Sequence, residues 1–328
     1  MTTIETSKRS WLVNTEARVL ASGQDILVRH GGVVSRCSAP GIRRFVVSLL
    51  DQSVDGRIDL DPAETGQTRL AQFETLMAQL VAAGLFVEAT PDAEDPGADD
   101  DPVVLGVWQR GGGAVDRTEI SARLRTRPVR LLGSGSLVDD LRTALTAASV
   151  TIADDDPTAP AVVVGRHEQD SLLTEWNADR LADGMGVPWL AVVPFTGGQA
   201  IVGPWIVPGE SACYECYLLR RASNFGSQEM SSVLAEAEPV GPVFDGSARY
   251  PGLRMVQTGL IVDRIVERVG LEERAGQSVP GELTTISLRY DAIDVERHRL
   301  LRVPRCPRCS PSAGIGYPQV WFAKEAGQ

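Results

Sequence analysis

The residues best suited to chemistry are four cysteines in two pairs, Cys213-Tyr-Glu-Cys216 and Cys306-Pro-Arg-Cys309. Two thiolates at this spacing grip one metal ion from a tight turn, and two such turns complete a tetrahedral shell. Four protein ligands leave no open position, so the pattern predicts a structural zinc ion rather than a catalytic one. Binding of such an ion is worth on the order of 10 kcal/mol when metallation and folding are coupled. It would pin the C-terminal end of the chain across residues 217–305. A redox dithiol is the competing reading, but a redox pair opens a helix and occurs once. The fifth cysteine, Cys37, falls in an expected strand and reads as a small half-buried hydrophobe. His30, His167 and His298 are the three histidines. None has a partner pattern, and no Ser-His-Asp order, no H-E-x-x-H and no usefully spaced carboxylate pair stands out. No catalytic residue is assigned.

A second candidate is a nucleotide loop. Such a loop needs G-x-G-x-x-G after a strand: one glycine for the turn, one for approach to phosphate, one for packing of the helix on the strand. Gly133 and Gly135 satisfy the first two positions, Val138 occupies the third, and Asp154–Asp156 supply the acid about 20 residues on. The geometry of a strand–helix–strand unit is present and its fingerprint is degenerate, which points to a relic that binds no cofactor. Among 32 basic residues only Lys8 and Lys324 are lysines. No lysine clamp for phosphate and no Schiff base can therefore lie between residues 9 and 323.

The elements that must position these groups lie in a chain of 328 residues, 43% hydrophobic and 23% charged, enough to bury a core over two domains. The formal charge of −11 argues against nucleic acid as a partner. No apolar run approaches the roughly 20 residues of a membrane span, and MTTIETSKRSW has no apolar core of a secretion signal. The expected setting is reduced and cytoplasmic, with no membrane partner.

Composition breaks once, at TPDAEDPGADDDP, residues 90–102, with six acids and three prolines. Residues 91–102 are expected to form an acidic, extended linker between a domain at 1–90 and one at 103–328. The first domain reads as strands at Ala17–Leu20, Asp25–His30 and Val33–Ser38, then a helix opened by Pro40, a short helix over Asp59–Thr65, a helix from about Thr68 to Ala83 ended by Gly84, and a closing strand at Leu85–Glu88. That is a small winged-helix-like α+β unit. Its nine basic and ten acidic residues favour a peptide over DNA as its ligand. The second domain alternates strand and helix as an α/β sheet does. Strands are expected at Pro128–Leu132, Val150–Ala153, Ala161–Val164 and Trp189–Pro194, with helices after Gly135 and around Leu172–Ala182. A long amphipathic helix follows at Leu253–Val269, then antiparallel strands at Glu282–Tyr290 and His298–Val303.

The stretch Gly203-Pro-Trp-Ile-Val-Pro-Gly-Glu-Ser-Ala-Cys213-Tyr-Glu-Cys216, with Arg220-Arg221 and Val303-Pro-Arg-Cys306-Pro-Arg-Cys309, resembles the ThiF/MoeB family of ubiquitin-activating type. More closely, the chain is similar to the ThiF-like partner proteins of thiazole/oxazole-modified microcin and thiopeptide biosynthesis. The resemblance implies a Rossmann-type domain with structural zinc, preceded by a RiPP recognition element that clamps a precursor's leader peptide. It further implies a leader edge at Val33, Val34, Ser35, Arg36, Cys37 and Ser38. Gln72, Phe73, Leu76 and Leu80 on the facing helix would form the groove.

Adenylating members of the family use a complete glycine loop, lysine and arginine on the phosphates and a magnesium acid near the third strand's end. Here Val138, the missing lysines and Gly165-Arg166-His167 stand at those places. The implied role is a non-catalytic accessory subunit that presents its peptide to a YcaO-type cyclodehydratase, with a homodimer as the expected assembly. An adenylating enzyme is the alternative, and a winged-helix transcription factor is a third reading.

Overall fold

Strands here form where β-branched and apolar residues can be buried on one face, and the register shows which partners they find. The computed structural model describes residues 9–14, 17–30, 32–53, 56–60, 67–89, 101–184, 186–196, 198–224, 249–276, 279–290 and 292–310. The chain divides into two compact units, residues 1–123 and 124–328.

In the first unit β1 (Arg9–Val13) lies between β5 (Arg57–Leu60) and β6 (Phe86–Ala89), antiparallel to both. A second three-stranded sheet runs β2 (Ala17–Ser22), β3 (Asp25–His30), β4 (Val33–Cys37), so β4 is an edge. Helix α1 (Ile42–Gln52) buries Ile42, Val46 and Leu49. Helix α2 (Gln67–Ala82) buries Met77 and Leu80 in the same core as Trp11, Ile26 and Val28. Phe73 sits between Trp11 and Phe45, with ring centroids 5.5 and 5.4 Å away. The left-handed Gly84 ends the second helix as expected.

Four local expectations change. Arg57–Leu60 is a strand, because β1, not foreseen in the sequence, offers it a partner through Ser10↔Asp59 and Trp11↔Ile58. The remainder of the expected helix, residues 61–65, lies outside the described residues, as do residues 90–100 of the acidic run. Pro40 does not open α1; the cap is Gly41, in left-handed conformation. Asp101 and Pro102 are not linker but the start of α3 (Pro102–Arg110), where the Asp101 carboxylate accepts the Val103 amide at 2.9 Å. After it comes α4 (Arg117–Thr126), which no pattern announced.

The second unit is a six-stranded mixed sheet in the order β12-β11-β10-β9-β8-β7. The strands β7 (Arg130–Leu132), β8 (Ala161–Val164) and β9 (Trp189–Thr196) are parallel. The strands β10 (Gln199–Ile206), β11 (Glu282–Leu288) and β12 (Ile293–Arg299) add antiparallel. The last of these starts and ends earlier than the expected His298–Val303. Val150–Ala153 is no strand; it contributes one bridge, Ile152 to Val129.

Among the described residues the α-helices of this unit are α5 (Ser136–Ala147), α6 (Ser171–Asp183), α7 (Tyr214–Ser223) and α8 (Pro251–Leu271). Ile201 packs in one core cluster with Tyr214 and Leu173, and its neighbour Ala200 in another with Leu253. Adjacent strand residues point to opposite faces, so α6 and α7 cover one side of the sheet and α8 the other. Two buried polar side chains lock α8 down: Gln257 Nε2 donates to Val193 O at 2.8 Å, and Arg264 Nη1 to Val202 O at 3.2 Å. Among the described residues no helix is long and apolar enough to cross a membrane.

Candidate metal centre and peptide edge

Helix α7 begins at the first cysteine pair. Cys213 is its N-terminal cap residue and supplies no capping side chain. The cap comes from α6 instead, where the buried Asn177 Oδ1 accepts the Tyr214 amide at 2.9 Å. The pair therefore opens a helix rather than a free-standing turn, and the redox reading loses its first objection. The second objection holds, because the other pair closes on the first. Cys213 Sγ lies 3.9 Å from Cys216 Sγ and 3.7 Å from Cys306 Sγ, and Cys216 Sγ lies 3.4 Å from Cys309 Sγ. All four sulfurs fall within 4.8 Å of one another, and all but Cys309 are buried.

Disulfide sulfurs would stand about 2.05 Å apart. Sulfurs about 2.3 Å from a central zinc stand about 3.8 Å apart. The cluster fits the second spacing, so these four residues could hold a metal ion. The Val303 amide points at Cys216 Sγ, 3.4 Å away, a donor that favours a thiolate. Without a metal, burial pushes the Cys213 thiol far up and the Cys309 thiol to about 11. For Cys306 burial is outweighed by the amides of Cys309 and Arg308, and its thiol is lowered.

Arginines tie the two cysteine segments together. Arg220 Nε donates to Leu301 O at 2.9 Å, and Arg302 Nε donates to Ser211 O at 3.0 Å, with a further bond to Gly209 O. Gly203 lets β10 approach β11: a Cβ there would stand 2.7 Å from Glu282 O.

The degenerate loop is also spent on packing. A Cβ on Gly133 would stand 2.4 Å from Val164 O, and Val138 is buried. Asp154 accepts the Leu131 amide at 3.0 Å and pairs with Arg142 at 2.7 Å. At the end of β8, Asp170 caps α6 through the Leu172 amide and takes the Arg166 amide and side chain at 2.7 and 2.8 Å. Burial alone would raise its carboxyl, but these hydrogen bonds hold it down to about 2. His167 is half-buried, with its Nδ1 unpartnered. Glu168 pairs with Arg221 at 3.2 Å, and its carbonyl accepts from Tyr214 Oη at 2.8 Å. Sequence reasoning missed Asn177 and the Glu168–Arg221 pair, whose partners lie 37 and 53 residues away. Asp170 before a helical run was readable as a cap.

The expected peptide edge divides in two. Val33 and Val34 on β4 are 66% and 58% exposed, Arg36 is exposed and Ser35 half-buried. Ser38 follows β4, and Cys37 turns into the core, where burial raises its thiol. On α2, Gln72 is exposed and Leu76 half-buried, whereas Leu80 is wholly buried and Phe73 belongs to the aromatic cluster.

No protein-family model matches the chain. No curated protein matches it in sequence. Solved structures do match. The heterocyclase TruD is 21% identical, with a TM-score of 0.55 over 92% of this chain and 43% of that one. E. coli MccB is 12% identical, with a TM-score of 0.63 over 94% of this chain and 99% of that one. The microcin C7 biosynthetic enzyme MccB in complex with N-formylated MccA gives 12% and 0.61 over 92% and 100%. The chain thus spans about two fifths of the heterocyclase and the full length of MccB, and shares their mixed α/β fold.

Proposed function

We propose that this protein is a non-catalytic scaffold that binds the leader of a ribosomal precursor peptide and presents the core to a YcaO-type cyclodehydratase for azoline formation. The observation that carries the reading is an asymmetry. The acids beside β7 and after β8, Asp154, Glu168 and Asp170, are consumed by the chain's own amides and arginines, while the edge strand β4 stands open with two exposed valines.

In this reading residues 1–90 act as a winged-helix RiPP recognition element. A leader in extended form adds to β4, with main-chain hydrogen bonds giving affinity and Gln72 and Leu76 contacting alternate side chains. The ThiF-like Rossmann-type unit serves as the docking body. Its four cysteines hold a structural zinc ion with a closed shell. The fold shared with a heterocyclase supports a place in this chemistry, and a homodimer is the assembly we expect.

The test is fluorescence polarisation with a labelled leader peptide and the full chain, with a scrambled leader as control. Sequence-dependent binding at micromolar concentration is expected. No binding by a zinc-loaded, folded sample overturns the reading.

The second reading is an ATP-dependent adenylating enzyme. The end-to-end likeness to MccB favours it, one structure of which holds AMPCPP. ATP–pyrophosphate exchange by the purified protein would establish it.

A further inference from the structure

The inner face of the β2–β3–β4 sheet is core: Ile26 and Val28 are buried beside Cys37. Its outer face follows from the register. Arg18 stands opposite Arg29, and Arg29 opposite Val34. In the next row Leu20 faces Leu27, and Leu27 faces Arg36. Residues opposite one another on antiparallel strands share a face, so the outer surface is a row of two arginines and a valine beside a row of two leucines and an arginine. Arg18, Arg29, Arg36, Leu20 and Val34 are exposed.

Arg36 has its counter-ion: its Nε donates to Asp25 at 2.7 Å. Among the described residues no carboxylate lies within ion-pair distance of Arg18 or Arg29. Two like charges directly opposite destabilise a sheet. In a chain of net charge −11 a carboxylate beside them was easy to supply. Among the described residues the pair has no counter-ion, and a ligand carboxylate would supply one.

We propose that Arg29, backed by Arg18, receives a carboxylate of the captured leader, so that the leader is acidic at the outward-facing position opposite Val34. The proposal rests on the leader-clamp reading above. A strand added to β4 continues the row Arg18–Arg29–Val34 by one residue. That residue stands about 10 Å from Arg29, two strand spacings of about 4.8 Å. A glutamate and an arginine together span this gap over the short Val34 side chain. Arg36, already held by Asp25, leaves the neighbouring outward position of the leader free to be aliphatic beside Leu27 and Leu20.

The experiment uses the full chain and a fluorescein-labelled synthetic peptide spanning the leader of a candidate ribosomal precursor that the full chain binds. Arg29→Gln is expected to weaken binding about tenfold and Arg18→Gln about threefold, the loss of one charged hydrogen bond and of its support. Wild-type affinity falls with added salt, and the R18Q/R29Q variant loses most of that dependence. Replacing the leader's acids by glutamine one at a time reproduces the tenfold loss at a single position. V34E, which places a carboxylate beside Arg29 from the protein itself, weakens the leader and leaves Tm unchanged or higher. A merely structural pair would instead lower Tm in R18Q/R29Q.

Equal affinity and equal salt dependence in wild type and R18Q/R29Q, with the leader still bound, overturns this inference and leaves the clamp standing. Absence of leader binding in wild type overturns both. Duplex DNA binding that R18Q/R29Q abolishes would reassign the face to nucleic acid and overturn the inference as well.

Discussion

The acids flanking the sheet of residues 124–328 and the arginines of the β2–β3–β4 sheet are partnered in opposite ways. In the first, Asp154, Glu168, Asp170, Asn177 and Gln257 each accept from or donate to a named partner of the same unit. Among the described residues the second sheet leaves two arginines facing each other without an acid, and leaves one strand edge with Val33 and Val34 exposed. Polar groups satisfied internally fix one conformation and offer little to a ligand. Exposed cations without a counter-ion and an unpaired edge do the reverse: like charges opposite one another cost some stability, and both invite a partner. Under the proposed function the difference separates a body that holds shape from a surface that binds, and it predicts that substitutions in the two places move different observables.

The largest expected effect is at the metal centre. If the four cysteines hold the proposed zinc ion, Cys216→Ser removes one of its four ligands, and zinc content measured by elemental analysis should drop below one per chain. The loss is a large share of the roughly 10 kcal/mol that coupled metallation supplies. The melting transition of the 124–328 unit should fall steeply, while leader affinity stays within twofold. Loss of both together would break the comparison. Leu80→Ala comes next: the side chain is wholly buried in the other unit, so truncation costs about 3 kcal/mol and lowers that unit's melting transition.

Asp170→Asn is third. Its folded carboxyl lies near 2, below the roughly 3.9 of an unfolded aspartate. The stabilisation is therefore complete above about pH 4 and is lost as pH falls through 2. It amounts to about 2 kcal/mol at neutral pH, most of it from the amides, since the Arg166 partner is 69% exposed and screened by solvent. The variant should melt lower at pH 7, and wild type should keep its stability advantage over the variant throughout pH 5 to 8. A chemical-denaturation series from pH 2 to 7 checks both statements.

What the sequence made legible was local. Two C-x-x-C pairs specify their own geometry, and the sulfurs meet as the spacing implies. The strands β2, β3 and β4 with their turns at Gly23 and Gly32, and the helices α2, α5 and α6, carry period and punctuation within a dozen residues. The elements that were missed need distant partners. β1 pairs with segments about 50 and 75 residues further on, and Asp59 and Leu60, expected at the start of a helix, join β5 because β1 offers a partner that no local window contains. β10 is buried on both faces, so it shows no alternation to read. The cap of α7 is donated from α6, which no window on α7 contains. The arginine pair is the sharpest case. Arg18 and Arg29 are eleven residues apart in sequence and become a like-charged pair only once the hairpin register is fixed.

The smallest stability effect belongs to Gln72, and it separates the two roles most cleanly. Its side chain is exposed on α2. Gln72→Ala should therefore change stability by no more than about 0.5 kcal/mol, as surface substitutions do. Alanine is also the better helix former, so the sign should be neutral or slightly stabilising. If α2 and β4 together receive the leader, the same change removes a polar contact from the groove and weakens binding about threefold to tenfold. Leu80→Ala should show the opposite balance, with a large fall in melting temperature and an affinity that recovers at temperatures where the unit is folded. Measuring both variants by thermal unfolding and leader polarisation sets a binding surface against a core position on the same helix. Equal leader affinity in Gln72→Ala and wild type would confine recognition to the β4 edge and its outer arginine face.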